Sequence, residues 1–370
     1  MYSVHQHWDP LKVCIVGRSY NPQFYDYIKD KKIRKVFYKI AEETEEDFQN
    51  LISLLHSFGV ETLRPEVSDN YLDYIQNDII LPPPMTPRDY TAMVSNNFYI
   101  DRRDLRSNWD KIKGDSWPDK PDNFSDIPSW ILDETRDIFN IWAREDFAFD
   151  NIVKYMEKNS NIIYDQNVNS ANTLRLGKDL FFGTDSYDDP VDLLLEKYKR
   201  LFPDYRCHIM NTGGHADGIY CAVSPGLIIS SREITDYTNL FPGWEVVYAE
   251  SASVDLIPDF DKIKEKNDGK WWIPGAESDI DLINYIETCV SNWIGYVQET
   301  VFDVNILIVD KNNVICNSYN QQIFDALVKR NITPHVLNFR HKYFWDGGVH
   351  CLTSDVHRLG NLQDCFINNH

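Results

Sequence analysis

No run of about 18 apolar residues, the length that a membrane-spanning helix needs, occurs in this chain. The first residues lack the apolar segment of a signal peptide and the arginine-rich, serine-rich pattern of a transit peptide. Basic residues are few, because 37 lysines and arginines face 57 aspartates and glutamates, giving a formal charge of −20. Nucleic-acid-binding proteins usually carry a basic face, which this balance disfavours. We therefore expect a cytoplasmic protein that binds neither a membrane nor nucleic acid.

Paired cysteine motifs are also missing. The chain has 7 cysteines, an odd number, at irregular spacing and without a CxxC pair. This pattern argues against a disulfide framework and against a zinc site. No P-loop, GxGxxG, HExxH, GxSxG or EF-hand pattern occurs either. We expect no cofactor and no metal.

A repeated local pattern is present instead. An apolar run meets a short turn of Gly, Asn, Asp or Lys and is followed by a second apolar run, as in a β-hairpin. Four copies are complete, and a fifth, from Leu11 to Tyr20, shows only its first half. The complete copies are Thr91–Ile100, Thr173–Gly183, Gly218–Ser230 and Val304–Cys316.

Three copies carry a polar residue just before the first strand, namely Asp89, Asn172 and Asp217. Repeated hairpins that each place one polar group at the strand start favour radial symmetry about a central site. The alternative is a set of unrelated hairpins in an α+β protein. Helical patterns between the copies favour an α/β architecture. They cover Glu42–Phe58, Pro190–Leu201 and Gln321–Arg330.

Two stretches have the character of insertions. Residues 110–128 are rich in Asp, Lys, Pro and Trp, and residues 251–299 carry a charged run followed by a Trp pair and a helical pattern. Long excursions of this kind are often lids or surface covers. No linker-like composition separates any part of the chain, so we predict a single domain over residues 1–370.

Cys351 is the candidate nucleophile. It follows Gly347, Gly348 and His350, and small residues let a backbone approach a ligand closely. A thiolate attacks electron-poor carbon well when a base or a positive charge lies nearby. His215, in a Gly-Gly-His-x-Asp-Gly loop at the start of a hairpin, is the candidate acid and base. The alternative is a structural cysteine and a surface histidine.

Carboxylates that could bind a cation accompany these two residues. Asp217 lies two positions after His215, and on an extended chain both side chains would point the same way. Asp89 stands directly before another strand, where it could also be a plain turn residue. Carboxylates bind the paired donors of a guanidinium ion in bidentate fashion. The negative charge of the chain would favour the approach of such a cationic small molecule.

These residues resemble those of the amidinotransferase family, the glycine amidinotransferases in particular, from about Thr86 to Gly360. The most specific motif is Gly-Gly-Val-His-Cys-Leu-Thr-Ser-Asp-Val-His-Arg-Leu-Gly, which contains Cys351. The other matching segments are Pro87–Asp89, Ala171–Gly177, Pro203–Ile209 and His215–Asp217.

The resemblance implies a five-bladed α/β propeller with pseudo-fivefold symmetry, as in the pentein fold. It implies transfer of an amidino group from L-arginine to glycine through a covalent adduct on Cys351, giving ornithine and guanidinoacetate. Asp89 and Asp217 would bind the guanidinium. Asn172 stands where the family has the aspartate that pairs with the histidine, and an amide oxygen can still orient an imidazole. From its position after the His215 hairpin, Arg232 is predicted to bind a substrate carboxylate.

Several alternatives stay open. Gly214 replaces the bulky Met of glycine-specific members and would leave room for a larger amine acceptor. Water as the acceptor would make the protein an arginine-deiminase-like hydrolase. The Asn172 replacement motivates a third option, a guanidino-compound binding protein without catalysis. Family members are often dimers, so a homodimer is a further prediction.

Overall fold

The computed structural model describes residues 1–76, 79–100, 116–119, 128, 130–131, 148–165, 167–231, 237–249, 271–276, 278–294 and 302–366. Within these ranges, no helix has both the length and the apolar character that crossing a membrane requires.

The four complete hairpins predicted from the sequence are confirmed. In each, two short strands pair antiparallel around a tight turn. Most of their residues are buried because the strands are apolar on both faces. The paired strands are Thr91–Val94 (β5) with Asn97–Ile100 (β6), Thr173–Leu176 (β8) with Asp179–Gly183 (β9), Tyr220–Ser224 (β11) with Leu227–Ser230 (β12), and Leu307–Asp310 (β14) with Asn313–Cys316 (β15).

Each hairpin gains a third strand, which runs parallel to the second strand of the hairpin. A parallel neighbour needs a crossover connection, and in each copy a helix lies in that connection. The repeating unit is therefore a hairpin followed by a helix and a strand, an α/β unit. The helix and third strand are Asp150–Met156 (α2) and Asn161–Tyr164 (β7), Val191–Leu201 (α3) and Arg206–Met210 (β10), Tyr237–Leu240 (α4) and Glu245–Tyr248 (β13), and Gln321–Val328 (α6) and Thr333–Val336 (β16).

The fifth sheet joins the two ends of the described chain. Its central strand, Leu11–Val16 (β1), pairs parallel with Glu61–Leu63 (β2) and antiparallel with Thr353–Arg358 (β17). The expected hairpin from Leu11 to Tyr20 was therefore wrong in its second half. The antiparallel partner of β1 comes from the strand that follows Cys351, so a search for local hairpins could not find it.

The crossover helix of this sheet, Lys31–Ser57 (α1), is longer than the predicted Glu42–Phe58. It begins at Asp30, whose side chain accepts the backbone N–H groups of Lys32 and Ile33 as an N-cap. Its first turns are dominated by lysine and arginine, so the apolar pattern alone placed the start too late.

Residues 271–276 and 278–294 pack against α1 and are not the surface cover expected for 251–299. Trp271, 1% exposed, and Trp293, 5% exposed, lie in the same apolar cluster as α1. The helix Ile280–Cys289 (α5) contributes Leu282 and Ile286 to that cluster. Residues 251–270 and most of 110–128 lie outside the described residues, so the lid prediction for them stays a prediction.

The remaining elements are short. They are the strands Ile75–Gln76 (β3) and Ile79–Ile80 (β4), the helix Lys342–Trp345 (α7), and 3₁₀ turns at Pro22–Tyr27, Tyr71–Tyr74, Pro87–Asp89 and Ala216–Gly218.

One buried carboxylate binds three buried arginines from three repeats. Asp355, in β17, accepts Arg175 Nη2 at 2.7 Å and Arg88 Nη2 at 3.3 Å on Oδ1. Its Oδ2 accepts Arg358 Nε at 2.6 Å. None of the four side chains is more than 2% exposed. Burial alone would raise the pKa of Asp355, but the three guanidinium charges outweigh it and hold the pKa well below its ordinary value.

Asp355→Asn should destabilise the protein by about 3–5 kcal/mol, the range found when one partner of a buried ion pair is removed. The amide keeps the shape but leaves three buried guanidinium groups without their anion. Urea unfolding followed by tryptophan fluorescence measures the change, with the exposed Asp188→Asn as the matched control. Equal midpoints for the two variants would contradict a central role for this carboxylate.

Candidate active site

The candidate site is built from the five segments that immediately precede the first strand of each repeat, which we call the strand-start segments. Each brings one polar or nucleophilic side chain to the same region. In chain order these residues are Asp89 before β5, Asn172 before β8, Asp217 before β11, Asn305 before β14 and Cys351 before β17.

Hydrogen bonds connect each strand-start segment to the next and return to the first. The series therefore fixes all five segments relative to one another. The five bonds are Ser170 N–H to Arg88 O (3.0 Å), Asp217 N–H to Ala171 O (3.1 Å), Asn305 Nδ2 to Asp217 O (3.3 Å), Cys351 N–H to Asn305 Oδ1 (3.2 Å) and Arg88 Nε to His350 O (2.9 Å).

Cys351 is buried, with 6% of its surface exposed. Its Sγ accepts a hydrogen bond from Asn305 Nδ2 at 2.9 Å and donates to Asp217 Oδ2 at 3.4 Å. Burial and the nearby carboxylates of Asp217 and Asp89 raise the pKa of the thiol well above its ordinary value, while the Asn305 hydrogen bond lowers it. The isolated site therefore keeps the thiol protonated.

His350, next to the nucleophile, pairs with Asp217. Since a carboxylate only accepts, His350 Nδ1–H donates to Asp217 Oδ2 at 2.9 Å. Burial and the charge of Arg88 lower the pKa of His350 to about 4, so this imidazole is neutral at pH 7. Burial would raise the pKa of Asp217, but the His350 hydrogen bond and the further contributions of His350, His215 and Arg88 together outweigh it, and the net shift is downward.

His215 has the opposite electrostatic environment. Its side chain is 49% exposed, and its Nδ1 lies 3.6 Å from Asp89 Oδ1. The Asp89 charge, followed by those of Asp217 and Asp185, raises the pKa of His215 despite partial burial. Asp346, the residue before the Gly347 turn, adds a smaller contribution in the same direction. His215 thus holds its proton to higher pH than an ordinary histidine.

The two predicted guanidinium-binding carboxylates each offer a buried oxygen with no hydrogen-bond partner, Asp89 Oδ1 and Asp217 Oδ1. An unpaired buried acceptor is costly, and a ligand with N–H donors would satisfy it. Both aspartates lie in 3₁₀ turns, Pro87–Asp89 and Ala216–Gly218. For Asp217 this corrects the extended chain that we expected, whereas a turn was one of the two readings for Asp89. The Asp89 turn begins at Pro87, whose fixed φ suits a helical start.

Asn172 is near the site but is not hydrogen-bonded to His215. Its Oδ1 accepts the N–H of Ala216, the residue after the histidine, at 3.0 Å. Its Nδ2 donates to Asp185 Oδ1 at 2.7 Å. Asn172 therefore holds the backbone of the His215 loop, and the negative charge in this corner is carried by Asp185.

Sequence reasoning missed Asn305 and the His350–Asp217 pair. The signal for Asn305 was available, because it occupies the strand start of the fourth hairpin just as Asp89 and Asn172 do in theirs. Arg232 lies outside the described residues, so its predicted role is unchanged. In the described part of the chain, no three His, Cys, Asp or Glu side chains are grouped to hold a metal.

Curated relatives with similar sequences are amidinotransferases. Mitochondrial glycine amidinotransferase of Xenopus tropicalis is 24% identical, over 98% of this chain and 84% of its own length. The L-arginine:L-lysine amidinotransferase of Pseudomonas savastanoi pv. phaseolicola is 21% identical, over 55% of this chain and 48% of its own. No protein-family model matches the chain.

Solved structures show the same fold. The inosamine-phosphate amidinotransferase of Streptomyces griseus superposes with a TM-score of 0.62 at 18% identity, over 98% of each chain. An amidinotransferase of the saxitoxin biosynthetic pathway in Microseira wollei gives 0.60 at 17% identity, over 99% of each. Together with the curated relatives, they confirm the resemblance that the motifs predict.

Replacing Asn172 by aspartate should lower the stability of the protein. Asn172→Asp would place a second carboxylate at the 2.7 Å contact with Asp185, where like charges repel. We expect a lower melting temperature and a displaced His215 loop. The exchange variant Asn172→Asp with Asp185→Asn keeps one amide and one acid and should recover stability. A single variant as stable as the wild type would contradict this account.

Asp89→Asn should shift the titration of His215 to lower pH. The Asp89 anion favours the charged imidazole, so removing it lowers the pKa, and the proton is lost earlier as pH rises. NMR titration of the ring protons in a Cys351→Ser background measures the midpoint. Asp204→Asn, on an exposed turn, is the control and should leave the midpoint in place.

Proposed function

We propose that this chain, which resembles the amidinotransferases along nearly its whole length, is itself an amidinotransferase. The donor in this proposal is L-arginine and the acceptor is an amine, with glycine as the first candidate because several curated relatives bear the name glycine amidinotransferase. The products would be ornithine and guanidinoacetate.

The observation that carries the proposal is the pairing of a buried thiol with unpaired carboxylate oxygens. Cys351 Sγ contacts Asp217 Oδ2, while Asp217 Oδ1 and Asp89 Oδ1 accept no hydrogen bond from any described residue. A guanidinium ion has a planar array of N–H donors that suits carboxylates, and its central carbon is electron-poor. A guanidinium held by these oxygens would place that carbon beside the sulfur.

Binding of the cation would also activate the thiol. The carboxylates of Asp217 and Asp89 raise the pKa of Cys351, so a guanidinium that neutralises them removes part of the cause of that shift. The thiol would then lose its proton only when the donor is present. Such coupling limits side reactions of a free thiolate.

In the first half-reaction, Cys351 Sγ forms a bond to the guanidinium carbon. The bond from that carbon to the Nε atom of the substrate arginine breaks, and protonated His215 gives a proton to this departing nitrogen. The proton lost by the thiol also ends on that nitrogen, so ornithine leaves with a charged ammonium group, His215 is left neutral, and charge and protons balance. Ornithine leaves, and an amidino group remains on the sulfur.

In the second half-reaction, an acceptor amine attacks the same carbon and the bond to sulfur breaks. The acceptor enters as an ammonium ion and loses two protons, one to the neutral His215 and one to the departing sulfur, so that both groups return to their starting states. One exposed imidazole thus acts first as acid and then as base. The neutral His350 stays paired to Asp217 in this scheme and holds that carboxylate in place.

A larger acceptor is the second candidate. A Cβ added at Gly214, directly before His215, would meet nothing within 4 Å, so space adjoins the histidine. Relatives whose names indicate lysine or inosamine phosphate show that acceptors other than glycine occur among similar proteins. Arg232 stays our candidate for binding a substrate carboxylate.

We also propose that the five sheets form five blades around a common axis, as in the pentein propeller. The identical topology of the sheets supports this arrangement, as does the closed series of hydrogen bonds among the strand-start segments. The axis would then pass near Asp355, whose arginine partners come from three different repeats.

Incubation of the purified protein with L-arginine, with and without glycine, tests the proposal by mass spectrometry. Ornithine together with guanidinoacetate is the expected result. An adduct on Cys351 without guanidinoacetate would keep the chemistry and direct the search to larger amines. Citrulline would identify a hydrolase instead.

Cys351→Ser should abolish both the adduct and ornithine release, whereas Cys289→Ser, at an exposed cysteine on α5, should retain them. A wild-type protein that binds arginine but forms no adduct and releases no ornithine would refute the transferase. That result would leave the non-catalytic binding protein.

A further inference from the structure

Asn305 makes contacts that a purely structural asparagine would not make. It is fully buried, and its Nδ2 lies 2.9 Å from the sulfur of Cys351. The same amide nitrogen is 3.4 Å from Asp217 Oδ2, the oxygen that also accepts from the thiol. The side chain therefore touches both the nucleophile and its carboxylate neighbour.

The orientation of this amide is fixed by the backbone around it. Asn305 Oδ1 accepts the N–H groups of His350 at 2.9 Å and Cys351 at 3.2 Å. Backbone N–H groups can only donate, so the oxygen must face them and the NH₂ group must face the sulfur. Cys351 Sγ therefore accepts a hydrogen bond from the NH₂ group of Asn305.

A second asparagine supports the first. Asn317 Nδ2 donates to the backbone carbonyl of Asn305 at 2.8 Å, and its Oδ1 accepts the N–H of Val349 at 2.7 Å. The two amides leave no room at Gly348, where a Cβ would lie 2.5 Å from Asn305 Oδ1. This contact explains why the residue is glycine. Both asparagines anchor the nucleophile loop, but only Asn305 contacts the sulfur.

We propose that Asn305 is a further catalytic residue, which stabilises the thiolate of Cys351 by donating its amide N–H to the sulfur. When the thiol proton leaves, the hydrogen bond from the S–H group to Asp217 is lost, and the repulsion between the charged sulfur and the carboxylate grows. The hydrogen bond from the Asn305 N–H to the sulfur remains and strengthens, because hydrogen bonds to an ionised acceptor are stronger than those between neutral groups. When the amidino group occupies the sulfur, the negative charge is gone and the bond weakens again.

This inference rests on the proposed function only in taking Cys351 as the nucleophile. Its main test therefore uses alkylation, which needs no turnover. Iodoacetamide reacts with the thiolate, and peptide mapping distinguishes Cys351 from the other cysteines. The rate against pH gives the titration of that thiol in each variant.

Asn305→Ala should move the alkylation midpoint to higher pH and slow the reaction below the midpoint by about tenfold or more, as expected for loss of a hydrogen bond to a charged group. Asn317→Ala is the matched control. It loosens the same loop without touching the sulfur, so it should lower the melting temperature and leave the midpoint unchanged.

Asn305→Asp keeps the test decisive if the alanine variant does not fold. Its carboxylate can still accept the two backbone N–H groups, but an oxygen replaces the N–H that faces the sulfur. The midpoint should again rise. In turnover with L-arginine, kcat should fall more than KM rises, since Asn305 contacts the sulfur and Asp217 Oδ2 but not the Oδ1 atoms of Asp89 and Asp217 that are proposed to bind the guanidinium.

An unchanged midpoint in a folded Asn305 variant would overturn the inference, and so would equal shifts in the Asn305 and Asn317 variants. Absence of ornithine from the wild-type protein would refute the proposed function instead. The alkylation result would still decide whether Asn305 tunes the thiol.

Discussion

The buried carboxylate of Asp355 binds arginines from three different repeats. The positions of the strand-start segments depend on these arginines. Arg88 shows the connection most directly, because its Nε donates to the carbonyls of His350 and Thr353 while its own carbonyl accepts from Ser170. One guanidinium thereby fixes the nucleophile loop against the segments that carry Asp89 and Asn172. Because one carboxylate faces three guanidinium groups among the described residues, each guanidinium also donates to backbone carbonyls.

The same charges divide the site into two electrostatic regions. On the inner side, burial and Arg88 keep His350 neutral, and the pair with Asp217 is a hydrogen bond between a neutral donor and an anion. On the outer side, Asp89 and its neighbours raise the pKa of His215 and so favour its charged form. Cys351 lies between them, with its thiol protonated by burial and by carboxylates. A cation bound beside Asp89 and Asp217 would therefore shift the pKa values of His350, His215 and Cys351 together.

Much of this was predictable from the sequence and some was not. The hairpins were found because their apolar runs and turns are local. The motifs of Cys351, His215 and Asp217 predicted one shared region, and the structure brings these side chains together, while their catalytic roles stay predictions. The pairing of β1 with β17 joins residues more than 330 positions apart, so no local pattern could reveal it. Asn172 was assigned to the histidine from a motif position, whereas its contacts with Ala216 and Asp185 depend on how two turns meet in space. Asn305 was missed because the fourth hairpin was described from the apolar residue Val304, and the polar residue next to it was not considered as a site residue.

The pairing of the first sheet also orders events during synthesis. β1 is made early, but its antiparallel neighbour β17 follows Cys351 and is made near the end of the described chain. An unfinished chain therefore has an unpaired strand edge at β1 and lacks Cys351, while Asp89, His215 and Asp217 already exist. The last strand to be made completes the sheet and brings the thiol to its carboxylates in a single step. Completion of this sheet and the approach of Cys351 to Asp217 are thus expected in the same folding event, and long-range pairing of this kind is expected to be slow.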